Sequence, residues 1–193
     1  MATNSRESIL AAAKQTAQLH GYVGLNFRDL AQDVGIKSAS IHYHFPTKAD
    51  LGAAVARRYW EDTAGSLDAM AAASGDAKRS LRDYPNEFRK SLANGNRLCL
   101  CSFMAAEYDD LPEAVKTEVQ AFADVNITWL RRMLVEAGVV PASQSEARAR
   151  AIFAAVAGAQ LVARSRADIA LYDSMIESYR EAGLFGPFSP RLE

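Results

Sequence analysis

Between Asn26 and Lys48 the chain carries two short helical periods separated by three residues, and few folds accept that pattern. Phe27, Leu30, Ala31 and Val34 recur at the i, i+3, i+4, i+7 spacing of a half-buried helix. Asn26 stands before them as an N-cap residue, with Asp29 three positions on, and Gly35 stands after them. A second short helix is expected over residues 38–43. The chain must reverse within Gly35-Ile36-Lys37, and a glycine supplies the backbone freedom for that turn. Ile36 and Ile41 are placed to face inward and hold the second helix against the first. Lys37, Ser38, Ala39, Ser40, His42 and Tyr43 are left on the outer surface. An apolar anchor on one side and short polar groups on the other is what a helix entering the DNA major groove needs.

The rest of the chain is expected to be helical as well. Alanine, the best helix former, supplies 36 of 193 residues, whereas glycine and proline together supply 17. Punctuation divides the chain into about nine helices, and no strand pattern is present. The first covers about residues 5–20 and ends at Gly21. Pro46 breaks the chain after the third helix, and Thr47 can cap a fourth that reaches about residue 73. A fifth is expected over about 76–93, with Pro85 as a kink or a late start. The sixth covers about 98–108, and the seventh runs from Pro112 to about residue 137. Ser143 and Glu146 form a capping-box pattern opening the eighth, which reaches about residue 163. The ninth covers about 169–182. The expected organisation is all-α, with a helix-turn-helix domain over residues 1–46 and a second helical domain over 47–193, the fourth helix connecting them.

Charge is unevenly divided. Residues 1–60 carry +3 and residues 61–193 carry −4, for a total of −1. A mildly basic head on an acidic body excludes a uniformly basic nucleic-acid coat. Two cysteines, Cys99 and Cys101, cannot make a disulfide framework, so the expected setting is reducing and cytoplasmic. Residues 1–8 are polar and have no apolar core of a secretory signal. The longest apolar run, residues 151–163, is too short to span a bilayer.

Residues 9–51, from Ile9 to Leu51, resemble the N-terminal domain of the TetR/AcrR family of transcriptional repressors. The matching pieces are the register of the first helix, Gly21-Tyr22, Arg28-Asp29-Leu30-Ala31, Val34-Gly35-Ile36, and Ile41-His42-Tyr43-His44-Phe45 followed by Lys48 and Leu51. Three positions depart from the family pattern. Ala17 stands where a large aromatic is frequent, Asn26 where the cap is usually Ser or Thr, and His42 where tyrosine is most frequent. The resemblance implies phosphate contacts from Tyr43, His44 and Lys48. Base reading then falls to Arg28, Lys37, Ser38, Ala39, Ser40 and His42. Arg28 can address guanine with two hydrogen bonds, whereas Ala39 can only touch a thymine methyl. Direct reading is therefore thin, which leaves a share to DNA shape. His42 and His44 lie i, i+2 on a helix and point apart, so no metal is expected there.

The resemblance also implies a two-fold dimer on a palindromic operator and a ligand-binding second domain. Small residues on the eighth helix, among them Ala151, Ala155, Gly158 and Ala159, would let two helices approach closely. With Tyr172, Met175 and Ile176 of the ninth they give a candidate four-helix dimer bundle. Candidate ligand contacts are Phe88, Cys101, Met104, Tyr108, Phe122, Asn126 and Trp129, with a small apolar or electrophilic inducer. The cysteines are expected to be buried inert thiols. The alternative is a thiol sensor, with Arg97 lowering a thiolate pKa. No HExxH, GxSxG, P-loop or dinucleotide fingerprint occurs, so no enzyme and no cofactor are expected. The alternative function is a DNA-binding regulator without small-molecule input, its second domain serving dimerisation or protein contacts.

Overall fold

In the computed structural model, which describes residues 2–186, the helix ends fall where local chemistry puts them. The first helix, α1 (Ala2–His20), stops at Gly21, whose φ is 68°. The second, α2 (Phe27–Val34), starts on Asn26, whose side-chain oxygen accepts from Arg28 N at 2.8 Å and Asp29 N at 3.3 Å. Gly35 follows in the left-handed region at φ 74°. There Ile36 N donates to Ala31 O at 2.9 Å and Gly35 N to Gln32 O at 3.1 Å, closing the helix. The third helix, α3 (Ser38–His44), ends as Phe45 N donates to Ile41 O at 2.8 Å. After Pro46, a reciprocal cap opens α4 (Lys48–Ser74): Thr47 N donates to Asp50 Oδ2 at 2.9 Å, and Asp50 N to Thr47 Oγ1 at 3.1 Å.

Downstream, one of the two alternatives at Pro85 is taken and one expectation changes. The fifth helix is divided into α5 (Ala77–Asp83) and α6 (Pro85–Ala93), meeting at Tyr84. Pro85 has no N–H to continue the ladder, and its ring would meet the carbonyl four residues back, so it acts as the first residue of a new helix. Then come α7 (Leu100–Ala106), a 3-10 turn over Tyr108–Asp110, α8 (Glu113–Glu136), α9 (Ala142–Ser165) and α10 (Ile169–Glu181). The Ser143–Glu146 capping box does not form. Pro141 is the N-cap residue, and Ser143 already lies in the first turn. Glu146 instead accepts from Arg150 at 2.5 Å, one turn further on.

The chain divides into two compact units, one of Met1–Asp62 with Cys99–Phe122, the other of Thr63–Leu98 with Ala123–Glu193. Both α4 and α8 contribute to each. In the first unit Ile9, Leu10, Ala13 and Ala17 of α1 bury against the apolar side of the helix-turn-helix, which supplies Leu30, Ala31, Ile41 and Phe45. In the second, α9 packs on α6 and α10 around Ile152, Val156, Tyr172 and Ile176. Polar groups inside this unit find partners. Tyr172 donates its hydroxyl hydrogen to Pro85 O at 2.7 Å, and Gln160 Nε2 donates to Phe88 O at 2.6 Å.

Gly35 has no atom within 4 Å of where a Cβ would stand, so only its positive φ resists substitution. Gly35→Ala is expected to lower unfolding free energy by about 1–2 kcal/mol, read from urea denaturation.

Candidate functional site

The outer face of the helix-turn-helix is built by one buried residue. Within α3 only Ile41 is buried, which turns the remaining positions outward. Lys37, Ser38, Ala39, His42 and Tyr43 are exposed, and Ser40 and His44 are half-buried. Tyr43 is 80% exposed. Arg28 is exposed on the first turn of α2. The His42 ring lies edge-on to Phe27, 4.7 Å between centroids, so a residue of α2 supports a candidate reading position of α3. The sequence marked Phe27 as one of the four residues of the apolar stripe and did not reveal this second role.

Lys48 is placed differently from its neighbours. Its Nζ donates to Val23 O at 2.9 Å and lies 4.7 Å from the Tyr22 ring centroid. Burial pushes its pKa down, partly offset by the Glu107 carboxylate. Glu107, just after α7, closes over the same turn: Tyr22 N donates to Glu107 Oε2 at 2.6 Å and Val23 N to Oε1 at 3.3 Å. The carboxylate occupies the space beside Gly21 where a Cβ would stand. The first unit thus joins the α1–α2 turn, the start of α4 and the end of α7 in one polar cluster. Glu107 lies 85 residues from Tyr22, so no local pattern in the sequence signals it.

A second cluster in this unit surrounds Glu118 on α8, which is 5% exposed. It accepts from Arg57 Nε at 3.0 Å and from Trp60 Nε1 at 2.8 Å, both on α4. Burial alone would raise its pKa, but the hydrogen bonds from Arg57 and Trp60 and the Arg57 charge prevail and hold it below the usual carboxylate range. Cys99 and Cys101 are buried in this unit. Burial raises both thiol pKa values. For Cys101 the Cys99 and Glu118 charges add to the effect. Desolvation dominates at both sulfurs, as buried thiols require, and the alternative in which Arg97 lowers a thiolate pKa gains no support.

The seven ligand candidates are divided between the units. Cys101, Met104 and Phe122 are buried in the first, while Tyr108 is 51% exposed with Lys116 Nζ 4.4 Å from its ring centroid. Phe88, Asn126 and Trp129 are buried in the second. There the Tyr84 hydroxyl donates to Asn126 Oδ1 at 2.9 Å, and Tyr84 stacks on Trp129 at 5.8 Å. Trp129 also borders a groove of about 350 Å³ between α4 and α8, with Ala64, Leu67, Asp68, Asp124, Val125, Thr128 and Arg132. Its indole Nε1 is buried with no acceptor among the described residues. A donor left so costs roughly 1–3 kcal/mol.

Among the dimerisation candidates, Ala151 and Gly158 are exposed and Ala155 and Met175 half-buried, whereas Ala159, Tyr172 and Ile176 lie in the protomer core. Gly158 has open space where a Cβ would stand. The exposed face of α9 continues through Ala147, Ala154, Leu161 at 57% and Val162 at 45% exposure, and the last two were not singled out by the sequence. Among the described residues no group of three potential metal ligands occurs, and no helix is long and apolar enough to cross a membrane.

A capped helix, a left-handed glycine turn and a second helix anchored by one isoleucine define a helix-turn-helix transcription regulator. Residues 9–55 match the family model described as bacterial regulatory proteins, tetR family. A TetR regulator from Legionella pneumophila is 30% identical, the match covering 91% of this chain and 95% of that one with a TM-score of 0.85. A TetR-family regulator from Agrobacterium tumefaciens is 28% identical over 94% of this chain and 98% of that one, with a TM-score of 0.87. The HTH-type transcriptional regulator LmrA of Bacillus subtilis is 42% identical over 43 residues, which are 22% of this chain and 23% of that protein. The chain belongs to the TetR family of transcriptional regulators.

Both thiols are expected to resist DTNB in the native protein at about pH 8 and to react fully on unfolding, since only the thiolate attacks. Above about pH 8.5 unfolded thiols lose protons that native ones keep, so stability falls as pH rises. Denaturation midpoints across that range, for the wild type and Cys99→Ala with Cys101→Ala, check the slope.

Proposed function

We propose that this regulator is a repressor that binds a palindromic operator as a homodimer and is released by a small, mainly apolar ligand held in its second unit. The observation that carries the DNA half is the outward face of α3, where Tyr43 stands 80% exposed beside Lys37 and His42. Phosphate contacts fall to Tyr43, His44 and Lys48. The Lys48 ammonium has one of its three hydrogens engaged by Val23 and two left for a phosphate. Base edges are read by Arg28, Lys37, Ser38, Ala39, Ser40 and His42, the last steadied by Phe27. So few specific donors per head favour two heads acting together, about one DNA turn or ~34 Å apart.

The dimer reading rests on the exposed stripe Ala147, Ala151, Ala154, Gly158, Leu161 and Val162, which repeats at helical spacing along one side of α9. Small residues at four of its earlier turns allow close approach, and Leu161 and Val162 supply apolar area at one end. The ligand reading rests on the groove between α4 and α8. Burial of Cys99 and Cys101 favours a non-covalent ligand over an electrophile. A ligand releases DNA only if it binds the non-DNA conformer more tightly than the DNA-bound one.

In mobility-shift titrations on the DNA upstream of its own coding sequence, Tyr43→Ala is expected to weaken binding by about tenfold or more without lowering stability. Undiminished binding by that variant would remove α3 from the interface. Leu161→Arg is expected to shift the protein from dimer to monomer in sedimentation at micromolar concentration and to weaken operator binding with it. A dimer that survives the substitution would displace the interface from this face of α9.

A further inference from the structure

The groove between α4 and α8 has a charge pattern that specifies more than an apolar ligand. Along α8, Asp124, Val125, Thr128, Trp129 and Arg132 share one side, and Ala64, Leu67 and Asp68 face them from α4. Arg132 donates from an NH2 group to Asp68 Oδ1 at 2.6 Å, so these two ends neutralise each other across the groove. Asp124 has no ion pair among the described residues. It lies eight residues before Arg132, hence about 12 Å away along the helix. The lining therefore carries one uncompensated negative charge at the end remote from the guanidinium. Between the ends lie Leu67, Val125 and the Trp129 ring, whose buried N–H has no acceptor.

We propose that this groove takes a small organic monocation: a ring-bearing amine no longer than about 12 Å, its ammonium at Asp124 and its ring over Leu67, Val125 and Trp129. The proposal rests on the ligand reading above and names the ligand's chemistry. Asp124 is exposed to solvent at its end of the groove, so a neutral ring would leave its charge unpaired and gain nothing from it. An anion would meet Asp124 and compete with Asp68 for Arg132. A cation leaves the Asp68–Arg132 pair intact and balances the remaining charge.

The test is calorimetric titration of the full chain with three probes that share one ring: 2-(1-naphthyl)ethylamine, 2-(1-naphthyl)ethanol and 1-naphthylacetate. The amine is expected to bind about fivefold more tightly than the alcohol, and the carboxylate most weakly, as one partly exposed ion pair allows. In Asp124→Asn the preference for the amine over the alcohol is expected to vanish. Val125→Trp, which fills the groove, is expected to abolish binding of the amine, with circular dichroism confirming that both variants fold. Carboxylate binding as tight as amine binding, an amine preference that persists in Asp124→Asn, or no binding by any probe would overturn the proposal. The same probes added to the protein–DNA complex separate this site from the broader reading. Amine binding without DNA release upholds the cation site and overturns ligand-controlled release. Release by the alcohol or the carboxylate, indifferent to Asp124→Asn, upholds control by a ligand and overturns the cation.

Discussion

The arrangement of the first unit depends on one buried carboxylate. Glu118 of α8 is taken out of water, and a lone carboxylate so placed would cost several kcal/mol. It stays ionised because Arg57 and Trp60, neighbours on α4, both donate to it. The pair thereby fixes the rotation of α4 about its own axis as well as its distance from α8. That rotation sets the start of α4, where the Thr47–Asp50 cap follows directly on Pro46 and the end of the recognition helix. Removing either donor would leave the charge partly unmet, whereas an apolar pair at these positions would hold the helices without fixing their register.

Glu107 does for the turn between α1 and α2 what Glu118 does for α4. Its carboxylate accepts two backbone N–H groups of the turn, and Lys48 satisfies the carbonyl of Val23 from the other side. The reading head is thus held at three points by the elements packed around it. The outward face of α3, the candidate DNA face, contributes little to this scaffold, whereas Ile41 and Leu30 are buried and hold the fold.

Local features were legible in the sequence where the chemistry is local. The Asn26 cap, the Gly35 turn, the Ile41 anchor and the outward Tyr43 all follow from residues within a few positions of one another. Pro85 was legible as a break, and of the two alternatives there the late helix start is the one taken. The Ser143–Glu146 motif misled because Pro141 already supplies a favourable entry two residues earlier. Long-range partners left no trace. Nothing within four residues of Glu107 or Glu118 says which backbone or guanidinium it meets. The ligand candidates were chosen for size and polarity, which also describe a core, and all but Tyr108 are buried. The charged residues that border the open groove, Asp68, Asp124 and Arg132, passed as surface.

The chain has two tryptophans, and each belongs to a different unit. Trp60 donates to a carboxylate, whereas Trp129 stacks on Tyr84 with its N–H unpartnered. Their emission therefore reports two unlike surroundings from within one polypeptide. With one ring replaced by phenylalanine, the remaining fluorophore becomes a private optical channel for its own unit. Melting of the DNA-reading half and of the half that holds the groove can then be followed separately, with no dye or label attached.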